Sequence, residues 1–233
     1  MGLITTALKL GLWGATGGVA SVGVGAAYIA ASTRIVDLTK DDPLFKSKTW
    51  KKYNPRGNPS LHDVVIKRVP LSKIKPELRD NEEALTHEFC RGVWSRWGFY
   101  PQSKFQERYD KVPGSEGDLW DISDLAVARY EKGLRIANHF EVVERQGNEI
   151  YIRCGGSPLL APGLRASDGL IVLSAHIDRE AQQAEFRFKS ALFSSAAETA
   201  APDAKHPLPP KIVFLHRWYV RIMTQAAIAR VKA

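Results

Sequence analysis

Between residues 139 and 192 the chain repeatedly places apolar residues at every second position. Phe140 and Val142 alternate with His139, Glu141 and Val143, the segment Arg145-Gln146-Gly147-Asn148 turns the chain, and Ile150, Ile152 and Cys154 alternate with Glu149, Tyr151 and Arg153. This pattern predicts an antiparallel hairpin with one apolar face. Leu170 to Ile177 predicts a third strand, closed by a turn at Asp178-Arg179-Glu180. Phe186, Phe188, Ser190 and Leu192, alternating with Glu185, Arg187 and Lys189, predict a fourth. Upstream, Asp63 to Val69 has strand propensity and stops at Pro70.

Elsewhere the period lengthens to that of a helix. Asn81 starts one, with Glu82 and Glu83 at its positive end and Leu85, Phe89 and Val93 on one side, and it stops near Gly98. Asp121-Ile122-Ser123-Asp124 caps a second, running through Leu125, Val127, Ala128 and Tyr130. The chain closes with a helix from Lys211 to Val231, whose apolar side carries Leu215, Trp218, Ile222 and Ala226. This order predicts an α+β fold in which a curved antiparallel sheet wraps the long C-terminal helix. A cavity between them would be lined by Phe140, Ile150, Ile152, Phe186, Phe188 and the inner side of the last helix. Two stretches read as unpacked: a tether over 34–60, broken by Pro43, Pro55 and Pro59, and a loop over 196–210.

Residues 10–33 carry no charged side chain, a run of 24 residues. As a helix at about 1.5 Å per residue this spans a hydrocarbon core of about 30 Å, so one N-terminal transmembrane helix is expected over 1–33, ahead of the 34–60 tether and a domain over 61–233. Gly14 and Gly18, and Gly17, Ser21 and Gly25, are spaced by four, which allows self-association through the anchor. The alternatives are a signal peptide cleaved near Ala30-Ala31-Ser32, a mitochondrial presequence that lacks arginine before Arg34, and a myristoylated Gly2.

Charge sharpens this picture. Of the net +8, residues 1–56 hold eight Lys or Arg against three Asp, which leaves an excess of three for the other 177 residues. Basic charge beside an apolar segment places the domain on the cytosolic side and favours contact with a lipid bilayer. It argues against nucleic acid, which needs that charge on the folded domain. Cys90 and Cys154 make neither a disulfide framework nor a zinc set, and His87-Glu88 lacks the second histidine of a zinc helix, so neither metal nor cofactor is expected.

Certain segments carry a resemblance: Leu61-His62-Asp63-Val64, Arg68 to Ile74, Phe89 to Trp94, Ser167 to Leu170 and Phe214 to Met223. Through them the chain is similar to small fungal proteins with an apolar N-terminus, and residues 139–231 resemble the START and polyketide-cyclase superfamily, the helix-grip fold. The resemblance implies a hydrophobic small molecule, a polyketide, terpenoid or lipid. It also implies either an enzyme of secondary metabolism that promotes cyclisation or isomerisation, a pericyclic step included, or a non-catalytic carrier or membrane assembly factor.

Candidate chemistry is sparse. His216 and, three residues on, Tyr219 lie on the final helix, where they are either proton-handling groups or boundary residues. Asp168 before Gly169 is either a loop terminus or a carboxylate at the cavity mouth. Arg91, spaced by three from Trp94 and Trp97, either packs on aromatic rings or holds a ligand oxygen. Phe140, Ile152, Phe186, Phe188 and Trp218 are the expected ligand-contacting side chains. His139 and His176 fall on outward positions. Asp63 is set aside because neighbours on a strand point apart.

Overall fold

A computed structural model describes residues 19–198, 206 and 208–233. Its centre is a seven-stranded antiparallel sheet: β1 (Arg34–Asp37), β2 (Leu61–Pro70), β3 (Arg135–Ile136), β4 (Phe140–Gln146), β5 (Glu149–Gly155), β6 (Asp168–Asp178) and β7 (Gln183–Phe193), in the order β1-β2-β7-β6-β5-β4-β3. The helices are α1 (Val19–Ser32), α2 (Pro43–Lys46), α3 (Lys48–Tyr53), α4 (Glu82–Ser95), α5 (Tyr100–Tyr109), α6 (Ile122–Val127) and α7 (Pro210–Val231). The fold is therefore α+β, with a curved antiparallel sheet and a long C-terminal helix.

Alternation sends Val65, Ile150, Ile152, Leu173, Phe186 and Phe188 to the inner face, where α4 and α7 cover them. The hairpin β4–β5 forms with the expected turn, but a bulge between Val142 and Glu144 inserts Val143 and shifts the pairing beyond it. Val143 thereby joins the outer-face cluster with Tyr151 and Val172.

The 34–60 stretch is folded rather than a tether. β1 pairs residue by residue with Asp63 to Ile66 of β2, and α2 and α3 place Leu44, Phe45 and Trp50 on the outer face of the sheet. Pro43 starts α2 instead of breaking a helix, since the first helical residue needs no N–H partner and Asp42 caps the turn through the Leu44 N–H at 2.9 Å. Beside the other two prolines, the Asn54 side chain accepts from the Asn58 N–H and donates to the Asn58 carbonyl, and the Asn58 side chain ties this segment to the Ser194 carbonyl.

The helix expected to reach Gly98 ends at Ser95, and α5, which the sequence did not reveal, follows it. Gly98 lies against the Met223 backbone of α7, where an added Cβ would stand 3.0 Å from the Met223 Cα. The Gly14, Gly17 and Gly18 positions, and most of the 196–210 loop, lie outside the described residues. The uncharged segment is described only from Val19; among the described residues no helix is long and apolar enough to cross a membrane. The end of α1 docks on α7: Arg221 donates to the carbonyls of Ala30 (3.2 Å) and Thr33 (3.1 Å).

Candidate functional site

A cavity of about 420 Å³ opens between α7, the inner face of the sheet and the turn joining α4 to α5. It exists because α4 covers only part of the inner face. Phe89 of α4 packs on Phe186 with ring centroids 5.1 Å apart, closing that part. The sheet contributes Phe140, Cys154, Ile171, Phe188, Ser190 and Leu192, and α7 contributes Ile212, Leu215, His216, Trp218, Tyr219 and Ile222. Trp94, Trp97, Pro101 and Gln102 close the third side, with Trp97 56% exposed. Among the described residues the lining contains no Lys, Arg, Asp or Glu.

Five of the sequence candidates meet here: His216, Tyr219, Phe140, Phe188 and Trp218. Four do not. Ile152 and Phe186 are sealed in the core under α4. Arg91 turns away, donating to the carbonyls of Ala128 (3.0 Å) and Val127 (3.1 Å) and pairing with Glu88 at 2.5 Å. Asp168 sits at no cavity mouth: its buried carboxylate takes a two-pronged bond from Arg153 (2.9 and 2.7 Å) and a third from the Ser195 hydroxyl (2.5 Å). His176 is outward, as its strand position implies. His139 is not: its ring is buried, bridging the Gly155 carbonyl (2.8 Å) and Asp110 (2.9 Å).

The polar edge of the cavity includes residues that sequence reasoning passed over. Asp63 and Ser190 are cross-strand partners on β2 and β7, and His216 of α7 descends onto them. Ser190 Oγ lies 2.7 Å from Asp63 Oδ1 and 3.0 Å from His216 Nε2; Nε2 is 3.5 Å from the same carboxylate oxygen. Arg217 Nε stands 3.3 Å from the other oxygen and pairs also with Asp37. Burial alone would push the Asp63 pKa up, but bonds from His216 and Ser190 and the Arg217 charge outweigh it and hold the group below its ordinary value.

Proton counting then fixes the network. Asp63, ionised, only accepts, so the single Ser190 proton goes to it. The Ser190 oxygen can meet His216 only as an acceptor, which puts a proton on Nε2. This is not a nucleophile triad. There the carboxylate holds the ring nitrogen opposite the hydroxyl, whereas here it takes the serine's own proton. A second accounting applies to Tyr219, whose hydroxyl donates to Gln102 Oε1 and whose pKa burial drives upward. The polar signal was present as Asp63 and Ser190 interrupting the inward apolar positions of their strands; Gln102 lies on α5, where no period showed.

Among the described residues no group of three or more His, Cys, Asp or Glu is arranged to hold a metal. No family model matches the chain, and none of the curated proteins or solved structures compared with it matches either.

Proposed function

We propose that this chain binds an apolar small molecule in the cavity between α7 and the sheet, beside a membrane. The observation that carries this reading is the largely aromatic and aliphatic lining, free of charge among the described residues, around about 420 Å³, within the range of small-molecule sites. The likeness of residues 139–231 to the helix-grip superfamily supports it, since that family holds hydrophobic ligands between a curved sheet and its last helix. The uncharged run over residues 10–33 supports the membrane part. Its C-terminal end is tied by Arg221 to the helix that lines the cavity.

The test uses the full chain in liposomes and a conjugated-polyene long-chain alcohol that takes up tryptophan emission. Trp94, Trp97 and Trp218 line the cavity and act as donors. Saturable energy transfer above that of plain liposomes is expected, and Ile171→Phe, which fills the cavity from β6, should abolish it. No saturable transfer, or transfer unchanged in the filled variant, would sink the reading.

A second reading rests on the Asp63–Ser190–His216 network. An imidazole at the cavity wall, held by a serine and a carboxylate, can exchange a proton with a bound ligand, as an acid–base isomerisation or cyclisation needs. An isomeric product made by the chain but not by His216→Phe would establish it over simple carriage.

A further inference from the structure

The mouth of the cavity has an apolar rim. Trp97 is 56% exposed, Tyr100 45% and Phe214 62%, and the half-buried Leu215, Trp218 and Ile222 continue the rim along α7. Trp97, Leu215, Trp218 and Ile222 line the same cavity, and the Phe214 and Trp218 rings lie 6.4 Å apart. Tyr100 sits at the start of α5, next in the chain to the cavity-lining Pro101. Single exposed apolar residues are ordinary on a protein surface, but several large rings around one apolar opening mark an interaction site.

Charge on this side has one sign. Residues 94–106 and 208–225, which build the rim, carry Arg96, Lys104, Lys211, Arg217 and Arg221 and not one Asp or Glu. Lys104 is paired with Glu107, and Arg217 with Asp37 and Asp63. Arg96 and Lys211 are exposed, and neither they nor Arg221 meets a carboxylate among the described residues. Arg221 also joins the rim to the uncharged segment. Its guanidinium lies 5.9 Å from the Trp218 ring centre while it donates to the Ala30 and Thr33 carbonyls. The end of the uncharged run over 10–33 is therefore fastened beside the cavity mouth.

From this we infer that the rim is a membrane face: Trp97, Tyr100, Phe214 and Trp218 enter the headgroup layer of an anionic bilayer, with Arg96, Lys211 and Arg221 against its negative headgroups, so that the cavity opens into lipid. Indole and phenol rings favour the boundary between hydrocarbon and water. Each uncompensated cation beside an anionic surface adds attraction. An apolar ligand then moves between bilayer and cavity without crossing water. The inference rests on the membrane part of the reading above, and adds which surface meets the lipid and what charge that lipid carries. An acidic protein could match the same charges, but the uncharged run fastened beside the rim favours lipid.

The test labels the full chain in liposomes. Cys90 and Cys154 are buried, so an introduced thiol takes the label. Phe214→Cys carries a nitrobenzoxadiazole dye on the rim. The control, Val127→Cys, carries it at an exposed position next to Ala126, whose carbonyl accepts from Arg230. Arg230 is about 24 Å along α7 from Phe214 and about 160° around it. Lipids with a nitroxide near the headgroup should quench the dye at 214 and leave the dye at 127 bright. Quenching at 214 should be stronger when phosphatidylserine makes up about a quarter of phosphatidylcholine vesicles, and reversing Arg96→Glu and Lys211→Glu should lower the ratio of docked to undocked domain by roughly fivefold or more for each cation. Equal quenching at 214 and 127, or no dependence on phosphatidylserine, overturns the inference. A dye at 214 that stays unquenched overturns it too; if that dye is also shielded from water, a protein surface covers the rim, a second copy of this chain included. In each of these cases the chain still floats with the liposomes, and the cavity reading stands on its own energy-transfer test. A chain that does not float with them overturns the membrane part of that reading and this inference with it.

Discussion

Gly92 of α4 lies against Ala227 of α7 so closely that a Cβ on the glycine would meet the Ala227 carbonyl oxygen at 2.5 Å and its Cα at 2.9 Å. The obstacle is helix backbone, which cannot swing aside as a side-chain tip does. Gly92→Ala should therefore push the two helices apart at a cost of about 1–3 kcal/mol, the range for overpacking. Both helices border the cavity, so probe affinity should fall with stability. Gly117→Ala is the control, because nothing lies within 4 Å of its added Cβ. Thermal melts of the two variants decide the matter; a Gly92→Ala melt equal to that of Gly117→Ala would mean that the crossing is looser than the distances state.

A second expectation separates structural charge from site charge. Arg153 and Asp168 form a buried, two-pronged pair on the sheet, with Arg153 also donating to Gly163 and lying over the Tyr53 ring at 4.5 Å. Arg153→Met should destabilise by about 3–5 kcal/mol, because it strands an ionised carboxylate in the interior. The double variant Arg153→Met with Asp168→Asn should recover part of that loss. Where either protein remains folded, probe affinity should match that of the parent chain. A selective loss of binding with Asp168→Asn at unchanged stability would return Asp168 to the site.

The strands were legible because each carries its own local record: Phe140 to Val142, Ile150 to Cys154 and Phe186 to Leu192 alternate without help from distant residues. The last helix was legible for the same reason, and with it His216, Tyr219 and Trp218. Other assignments needed tertiary information. β1 has only four residues and its pairing with β2 is what makes it a strand. α5 contains Gln102, Ser103 and Gln106 on its buried side, so its inward positions look polar and no apolar stripe announces it. Arg91 and Asp168 were attractive as polar residues near apolar ones. Their partners are backbone carbonyls at the C-terminal end of α6 and an arginine on the neighbouring strand, neither of which spacing can reveal. His139 is buried because Asp110, 29 residues away, reaches its Nε2.

The two thiols report on cavity and core separately. Cys154 lines the cavity, and burial pushes its pKa up to about 12; burial also drives Cys90 upward, on the core-facing side of α4. Only the thiolate reacts, so a neutral alkylating reagent at pH 8 should modify the native chain roughly a thousandfold more slowly than the urea-unfolded chain, whose thiols sit near pKa 8.5. Added polyene probe should slow Cys154 further and leave Cys90 unchanged, as peptide mapping by mass spectrometry would show. Equal protection of both residues would mean that the ligand stabilises the fold without occupying the cavity.

Asp63 links the site to acid stability. Its folded pKa lies below the ordinary value, so the folded state holds its proton less tightly than the unfolded chain does. The resulting stability is complete above the unfolded pKa of about 3.9 and is lost as pH falls through the lower folded value. Asp63→Asn should cost about 1–3 kcal/mol near neutral pH, from the broken bonds to Ser190 and Arg217. Urea titrations should show that difference to be constant above about pH 5 and shrinking below about pH 4. The substitution has a second consequence at the cavity. An amide can donate to the Ser190 oxygen, which turns the serine proton toward His216 Nε2 and moves the imidazole proton to Nδ1. Nitrogen NMR of the His216 ring should then show the proton on Nδ1 in Asp63→Asn, although residue 63 does not line the cavity. A His216 proton still on Nε2 would show that the Asp63 charge does not set the tautomer.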